Sequence, residues 1–506
     1  MLRLIIAVAA AATIIISVIK SVVGSRQRAK LIAQHAAQPP APYLPSSVLG
    51  WKRFKEVTSA IAEHKGLEKM MQDFERFGTT HSANMMGTPF IVTMDPENIK
   101  TVLSTKFSDY GLGHRLTAFG PLIGRGIFTS DGAHWEHSRA MIRPNFAKAQ
   151  VADLVKLESH IQRLCSAIPK DGSAVDLQPL FYNMTFDTAT EFLVGKSIEC
   201  QSAREGSHAQ EVVNAFDYAE TQMASRMRLG KLSFLHRDPK FDRSCRILHN
   251  AFDALIADAQ RDAEIESEKG GDENTNYVFM KELMKIEKDP KQLRAEALNI
   301  LIAGRDTTAG LLSNIFHVLA RNSRVWNRLQ KEVSTLEGKL PDYGTLRGDL
   351  PYLKAVINEG LRLFPSVPTN TRFANVDTFL PRGGGELGTS PVFVPKGAVF
   401  LYSVYAMHRR KDIYGPDAHE FRPERWLNEG SDSPLRPRWG FLPFNGGPRI
   451  CIGQQYAITE TGYTIVRMLQ NFSSIQSCDS RPWQEHIGVT LSSNHGTKVI
   501  LQGSNT

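Results

Sequence analysis

Phe444-Asn445-Gly446-Gly447-Pro448-Arg449-Ile450-Cys451-Ile452-Gly453 is the stretch on which the reading of this chain turns. It holds one thiol, with an arginine two residues before it, an aromatic seven residues before it and glycines on both sides. Glycines let a backbone approach a flat cofactor and aim amide N–H groups at a sulfur. An arginine favours a thiolate and neutralises an anionic substituent of the cofactor. Haem iron bound by a cysteine thiolate receives electron density that favours O–O cleavage. A structural thiol in a glycine-rich loop is the alternative, and the spacing of the whole pattern argues against it.

The stretch resembles the haem-binding signature of the cytochrome P-450 monooxygenases, Phe-x-x-Gly-x-Arg-x-Cys-x-Gly. Phe444, Gly447, Arg449, Cys451 and Gly453 fill its fixed places. The resemblance implies haem b (iron protoporphyrin IX) with Cys451 as the axial ligand of the iron and Arg449 at a propionate. It also implies a mainly α fold with a small β subdomain.

Three distant motifs agree. Ala303-Gly304-Arg305-Asp306-Thr307-Thr308 lies in a run with apolar residues at helical spacing (Leu298, Leu301, Ile302), which predicts a long buried helix. Threonine in mid-helix can bond back to the i−4 carbonyl, and small residues one turn away leave room for a diatomic ligand. The motif resembles the family's oxygen-activating helix. By that resemblance Thr307 holds dioxygen and its water, and Asp306 relays protons from the surface. Glu359-x-x-Arg362 places two charges on one helix face. With the following Pro365, and with Phe421-Arg422-Pro423-Glu424-Arg425-Trp426 downstream, it resembles the family's buried lock. Glu359, Arg362 and Arg425 then form a structural cluster, because buried charges persist only when paired. Trp135 and Arg139 stand one turn apart and resemble the family's propionate-binding pair, and Arg372 resembles a further propionate arginine.

The stretches 128–146, 380–397 and 441–460 resemble the fungal n-alkane and fatty-acid hydroxylases. That resemblance implies oxidation of a terminal or near-terminal carbon of a long chain. An unactivated methyl has no polar handle, so it must be aligned in a dry pocket. Expected walls are 110–127, 216–235, Ala297, Ile300, Leu301 and 366–370. Animal relatives often carry a haem-esterifying glutamate where Ala303 stands, so no such bond is expected.

The 506 residues, 42% hydrophobic and 22% charged, suit a large globular core. Cys165, Cys200, Cys245, Cys451 and Cys478 are scattered and form neither a disulfide framework nor a zinc pattern. All but Cys451 read as plain buried thiols. The net charge of +8 is spread along the chain, without a basic–aromatic array, so nucleic acid is not expected as a partner.

Residues 4–19 are apolar apart from Thr13 and Ser17, and Lys20, Arg26, Arg28 and Lys30 follow. They predict a single-pass helix in the endoplasmic reticulum membrane with the remainder facing the cytosol; a cleaved signal peptide is the rival. The expected organisation is a membrane anchor over 1–24, a basic and Pro-rich linker over 25–46, stiffened by Pro39, Pro40, Pro42 and Pro45, and a catalytic domain over 47–506.

Electrons are expected from NADPH through a separate reductase, since no dinucleotide-binding glycine fingerprint is evident. Arg143, Lys148, Arg436 and Arg438 are the candidate docking charges, and the substrate is expected to be a hydrophobic small molecule. Residues 264–276 read as a surface loop. Alternatives are tailoring of a fungal secondary metabolite such as a polyketide or terpenoid, a reductase-independent isomerase or dehydratase on the same fold, and a haem carrier without turnover.

Overall fold

The structure is a computed structural model that describes residues 19, 22–42, 47–146, 154–268, 278–428 and 434–504. The expected membrane span over 4–19, apart from Ile19, lies outside these residues, as do Pro45, Lys148 and most of the 264–276 segment. Among the described residues no helix is long and apolar enough to cross a membrane. Residues 22–34, which run from the end of the expected anchor into the stretch read as a linker, are helical, and Arg28 pairs with Asp377 at 2.8 Å. A second correction concerns 264–268, read as loop. A helix runs over Pro239–Glu268 instead, because its acidic and alanine-rich end is made of good helix formers.

Two compact units are present. The first comprises Met1–Glu56, Met71–Tyr110 and Thr371–Tyr402 and carries most of the β structure. Its six-stranded sheet has the order Ala41–Pro42, Thr80–Met85, Thr88–Thr93, Val399–Ser403, Thr369–Ala374, Tyr110–Gly111. Met86 and Gly87, both with positive φ, turn the Thr80–Met85/Thr88–Thr93 hairpin in the way a two-residue connection requires.

The second unit comprises Val57–Met70, Gly111–Asn370 and Ser403–Thr506 and is mainly helical. Its centre is the helix Pro290–Leu319, which starts where Asp289 accepts from the Lys291 amide and Pro290 takes the first turn. A helix apolar on all sides belongs in a core. Here Leu311, Leu312, Ile315 and Phe316 pack among Phe181, Leu353, Val356, Tyr463 and Val466. Two glycines permit that closeness. A Cβ on Gly310 would lie 2.7 Å from the Leu491 carbonyl oxygen of the hairpin Glu485–Ile487/Leu491–Ser493, and one on Gly360 would lie 2.6 Å from Ile315. Cys165, Cys200 and Cys245 are buried as expected, but Cys478 is exposed, because it lies just past the strand Phe472–Ser477.

Candidate active site

The Cys451 loop precedes the helix Gln454–Asn471. It is shaped by left-handed backbone at Asn445 (φ 63°) and Gly447 (φ 69°) and by the Cys451 N–H donating to the Phe444 carbonyl at 3.0 Å. The Phe444 ring packs against the hydrophobic core. Gly446 is obligatory, since a Cβ there would lie 2.7 Å from Trp439. Burial pushes the Cys451 thiol up to about 11, opposed by the Gly453 N–H and by Arg139. Yet the residue is exposed. Dense surroundings together with an open surface place the sulfur against an internal space. A thiol with a backbone N–H, a guanidinium and a helix N-terminus beside it suits a thiolate ligand. The donor set therefore fits the haem that the sequence implies.

Trp135 and Arg139 share the helix Gly132–Ile142. The Arg139 guanidinium lies 5.9 Å from the indole centroid, and burial, then Arg143, lowers its pKa while Cys451 raises it. Arg449 stacks on the same indole at 4.2 Å. Its guanidinium donates to the carbonyls of Ile127 (3.3 Å) and Ser130 (2.9 Å) and pairs with Asp131 at 2.7 Å. Cys451, Arg449, Trp135 and Arg139 are thus brought together. The segment that receives Arg449 also meets the central helix. Asn299 donates to the Ile123 carbonyl at 2.8 Å and accepts from the Phe128 amide at 3.1 Å, and Gly126 passes so close that a Cβ would lie 2.5 Å from Asn299 Nδ2. Asp131 and Asn299 escaped the sequence reading, because a lone Asp and a lone Asn carry no spacing signal.

From Ala295 to His317 on the central helix, every residue is buried except Ala303, Gly304 and Thr307. These three share one face, so that face borders open space. Thr307 Oγ1 donates to the Ala303 carbonyl at 2.6 Å, the back-bond expected of it, and the Thr307 carbonyl accepts from Ser366 Oγ at 3.0 Å. Asp306 points elsewhere. It is fully buried and pairs with Arg305 at 3.0 Å, and Arg305 pairs in turn with the half-exposed Asp217 of the helix His208–Leu229 at 2.7 Å. Burial lifts the Asp306 carboxyl to about 6 despite its Arg305 partner, and the Asp217 charge adds to the rise. The Arg305 guanidinium also lies 4.9 Å from the ring centroid of Tyr182 and 4.8 Å from that of Phe216. A charged residue within an apolar helix demands a buried partner, which was the signal for Arg305. The identity of that partner had none.

Glu359 lies on the helix Pro351–Leu363 and is fully buried with Arg362. Its carboxylate accepts from Arg362 Nε and Nη2 (both 2.8 Å), Arg425 Nε (3.0 Å), the Arg422 amide (2.8 Å) and Trp426 Nε1 (2.9 Å). Asp417, which pairs with Arg425 at 3.3 Å, supplies the second negative charge against the two arginines. Trp426 and Asp417 were not foreseen as members of this cluster. Arg372 is buried in the strand Thr369–Ala374 of the first unit, where its Nη1 donates to the Thr371 carbonyl at 2.8 Å.

The chain is similar to known proteins over most of its length. Residues 47–498 match the family model described as Cytochrome P450. Cytochrome P450 monooxygenase himC of Aspergillus japonicus is 48% identical over 456 residues, covering 89% of this chain and 81% of the relative. Cytochrome P450 monooxygenase fsdH of Fusarium heterosporum is 44% identical, covering 94% and 85%. Cytochrome P450 52A12 of Debaryomyces hansenii is 45% identical, covering 84% and 85%.

Proposed function

The chain belongs to the cytochrome P450 family and is a monooxygenase, and from that premise we propose that it hydroxylates a terminal or near-terminal carbon of a long alkyl chain, such as a fatty acid or alkane. The family implies haem. When bound through Cys451, haem supplies the activation of dioxygen. The chain's own residues do the rest. Arg139, Arg449 and Trp135 orient the cofactor and keep the sulfur side cationic, with Arg372 as a further propionate partner. Ala303 and Gly304 keep one helix face low.

Thr307 donates its hydroxyl to the Ala303 carbonyl, which leaves the Oγ1 lone pairs free to accept from a water. Asp306 holds the proton that is delivered through that water. Its buried, ion-paired position raises its affinity for a proton toward neutrality, as general acid–base work requires. The Glu359 cluster holds the helix Pro351–Leu363 to the segment that leads into the Cys451 loop. NADPH electrons enter through a separate reductase that docks on exposed arginines, of which Arg143, Arg436 and Arg438 are the candidates. The apolar amino-terminal run anchors the protein at the endoplasmic reticulum bilayer.

One observation carries the reading: the partly exposed face of Ala303, Gly304 and Thr307 on an otherwise buried helix, in the same unit as a thiol that feels the Gly453 N–H and the Arg139 guanidinium. The alkyl-chain assignment draws on the sequence resemblance to fungal alkane and fatty-acid hydroxylases. The test is a haem-replete preparation of the full chain with reductase and lipid. Binding difference spectra are recorded against long-chain acids, alkanes and polyketide-like lipids, followed by product analysis. ω- or near-ω-alcohols are expected from the acids or alkanes. Turnover of the polyketide-like lipids alone would replace the alkyl assignment with metabolite tailoring.

A further inference from the structure

Behind Thr307 lies a polar cluster that the reaction described so far leaves partly unexplained. It contains three carboxylates, Asp217, Glu220 and Asp306, and one guanidinium, Arg305. Asp217 and Asp306 each pair directly with Arg305. Glu220 has no ion-pair partner among the described residues. Its Oε1 accepts the Val489 N–H at 3.2 Å at the tip of the hairpin Glu485–Ile487/Leu491–Ser493. A Cβ on Gly488 would lie 3.1 Å from that oxygen, so the hairpin backbone is seated on the carboxyl. The same hairpin is tied to the Thr307 turn, since the Leu491 N–H donates to the Ser366 carbonyl at 3.0 Å and Ser366 Oγ donates to the Thr307 carbonyl. Asp306 Oδ2, in a residue with no exposed surface, has no hydrogen-bond partner among the described residues.

Asp306 and Glu220 together with solvent-facing Asp217 set three carboxylates against one guanidinium, and the excess negative charge falls on a sealed group and a partly exposed one, where neutralising one of them is cheaper. The arrangement favours a proton on one of the inner carboxyls. Asp217 reaches solvent and pairs directly with Arg305. Asp306 has the Arg305 charge at contact distance. Glu220 is the carboxyl without a contacting cation. Burial raises its pKa first and the Asp306 charge second, to about 8, against the opposing Arg305 charge and Val489 N–H. The phenol of Tyr182, from the helix Leu177–Val194, faces the same cluster and is itself raised by burial, Asp306 and Glu220. Glu220 is partly exposed where Asp306 is sealed, so it can exchange protons with water on behalf of the sealed group.

We propose that Glu220 is the proton reservoir for Asp306, releasing a proton from its carboxyl toward Asp306 Oδ2 and recovering it from water. This rests on the reading of Asp306 and Thr307 as the proton-delivery pair. It adds a positioning and supply residue from a different helix, 86 positions away in sequence. No electrons move in the step; one proton leaves Glu220 and one returns.

The test uses the haem-replete full chain with reductase, and it reads product formed per NADPH consumed, together with hydrogen peroxide. Glu220→Gln keeps an oxygen for the Val489 N–H but carries no transferable proton. Expected are a normal haem content, a normal substrate-induced spectral shift, a several-fold fall in product per NADPH and a matching rise in peroxide. In the wild type, product per NADPH falls as pH rises through about 8, where Glu220 loses its proton, and Glu220→Gln abolishes that limb. Asp306→Asn separates the two claims. If Asp306→Asn uncouples and Glu220→Gln does not, the reservoir is overturned while the delivery pair stands. If neither uncouples, the delivery pair itself fails. Should Glu220→Gln not retain haem, the wild-type profile decides alone, and flat coupling from pH 6 to about 9 overturns the proposal.

Discussion

Replacing Glu359 by alanine removes one carboxylate that receives five donors, four from side chains and one from the Arg422 amide. After the change Arg362 still donates to the carbonyls of His408, Ala418 and Glu420, but its contacting counter-charge is gone. Arg425 keeps the Tyr414 carbonyl, with the partly exposed Asp417 as its remaining counter-charge. Breaking a buried ion pair by deleting one partner costs ~3–5 kcal/mol, because the survivor is left charged in a poor solvent. The orphaned Trp426 indole N–H and Arg422 amide raise that figure, each by about 1 kcal/mol or more. The total is then ~5–7 kcal/mol; even ~4 kcal/mol is roughly a thousandfold in the folded-to-unfolded ratio and a large part of the ~5–15 kcal/mol available to a domain.

Glu359→Gln should fare little better. Its amide NH₂ would face an arginine donor where an oxygen now accepts. Arg425→Met should be milder, since the Glu359–Arg362 pair survives with its charges balanced. The assay is the denaturation midpoint together with the yield of haem-loaded protein, read as the reduced carbon monoxide difference spectrum. Wild-type midpoint and yield in Glu359→Ala would refute the reasoning that this carboxylate holds the two arginines.

Three further outcomes follow from local geometry. Thr307→Ala deletes the Oγ1 donor but leaves a good helix former, so stability should hold or rise slightly while product per NADPH falls and peroxide appears; normal coupling would remove Thr307 from proton delivery. Gly310→Ala gains about 1 kcal/mol of helix propensity but drives a methyl to 2.7 Å from the Leu491 carbonyl. A net loss of ~1–3 kcal/mol is expected, measured by chemical denaturation, and a stabilised protein would show that the hairpin yields freely. His408 is fully buried, with Nδ1 donating to the Arg362 carbonyl at 3.1 Å and Nε2 accepting from the Leu442 amide at 2.9 Å. Burial, reinforced by Arg362 and Arg409, depresses its pKa to about 3. The folded state therefore refuses a proton that the unfolded chain takes below about 6.5. Stability from this residue is present above that pH and is lost as pH falls toward 3, by up to ~4 kcal/mol. The stability gap between wild type and His408→Gln should shrink across this range, and a gap independent of pH would contradict the assignment.

The chemistry of the cofactor side was legible because it is local. The Cys451 loop needs glycines and a thiol within ten consecutive positions, and the Thr307 back-bond needs only its own helix turn. The Glu359–Arg362 pair is likewise a matter of i, i+3 spacing, so a motif could announce it.

What the linear order could not reveal is everything that arises when separate segments meet. Trp426 and Asp417 complete the Glu359 cluster. Asp131 claims Arg449, and Asn299 stitches the 123–130 segment to the central helix. Asp217 and Glu220 gather around Arg305 and Asp306 although each is an ordinary acidic residue on a half-exposed helix. Helical periodicity marks which face turns inward, but it does not say which charge another helix presents there. Residue type and short-range spacing thus sufficed for the family and for the proposed roles of the Cys451 loop and the Thr307 helix. Packing alone decided which carboxyls gather around Arg305, because the free energy of a buried charge depends on neighbours that only the folded chain supplies.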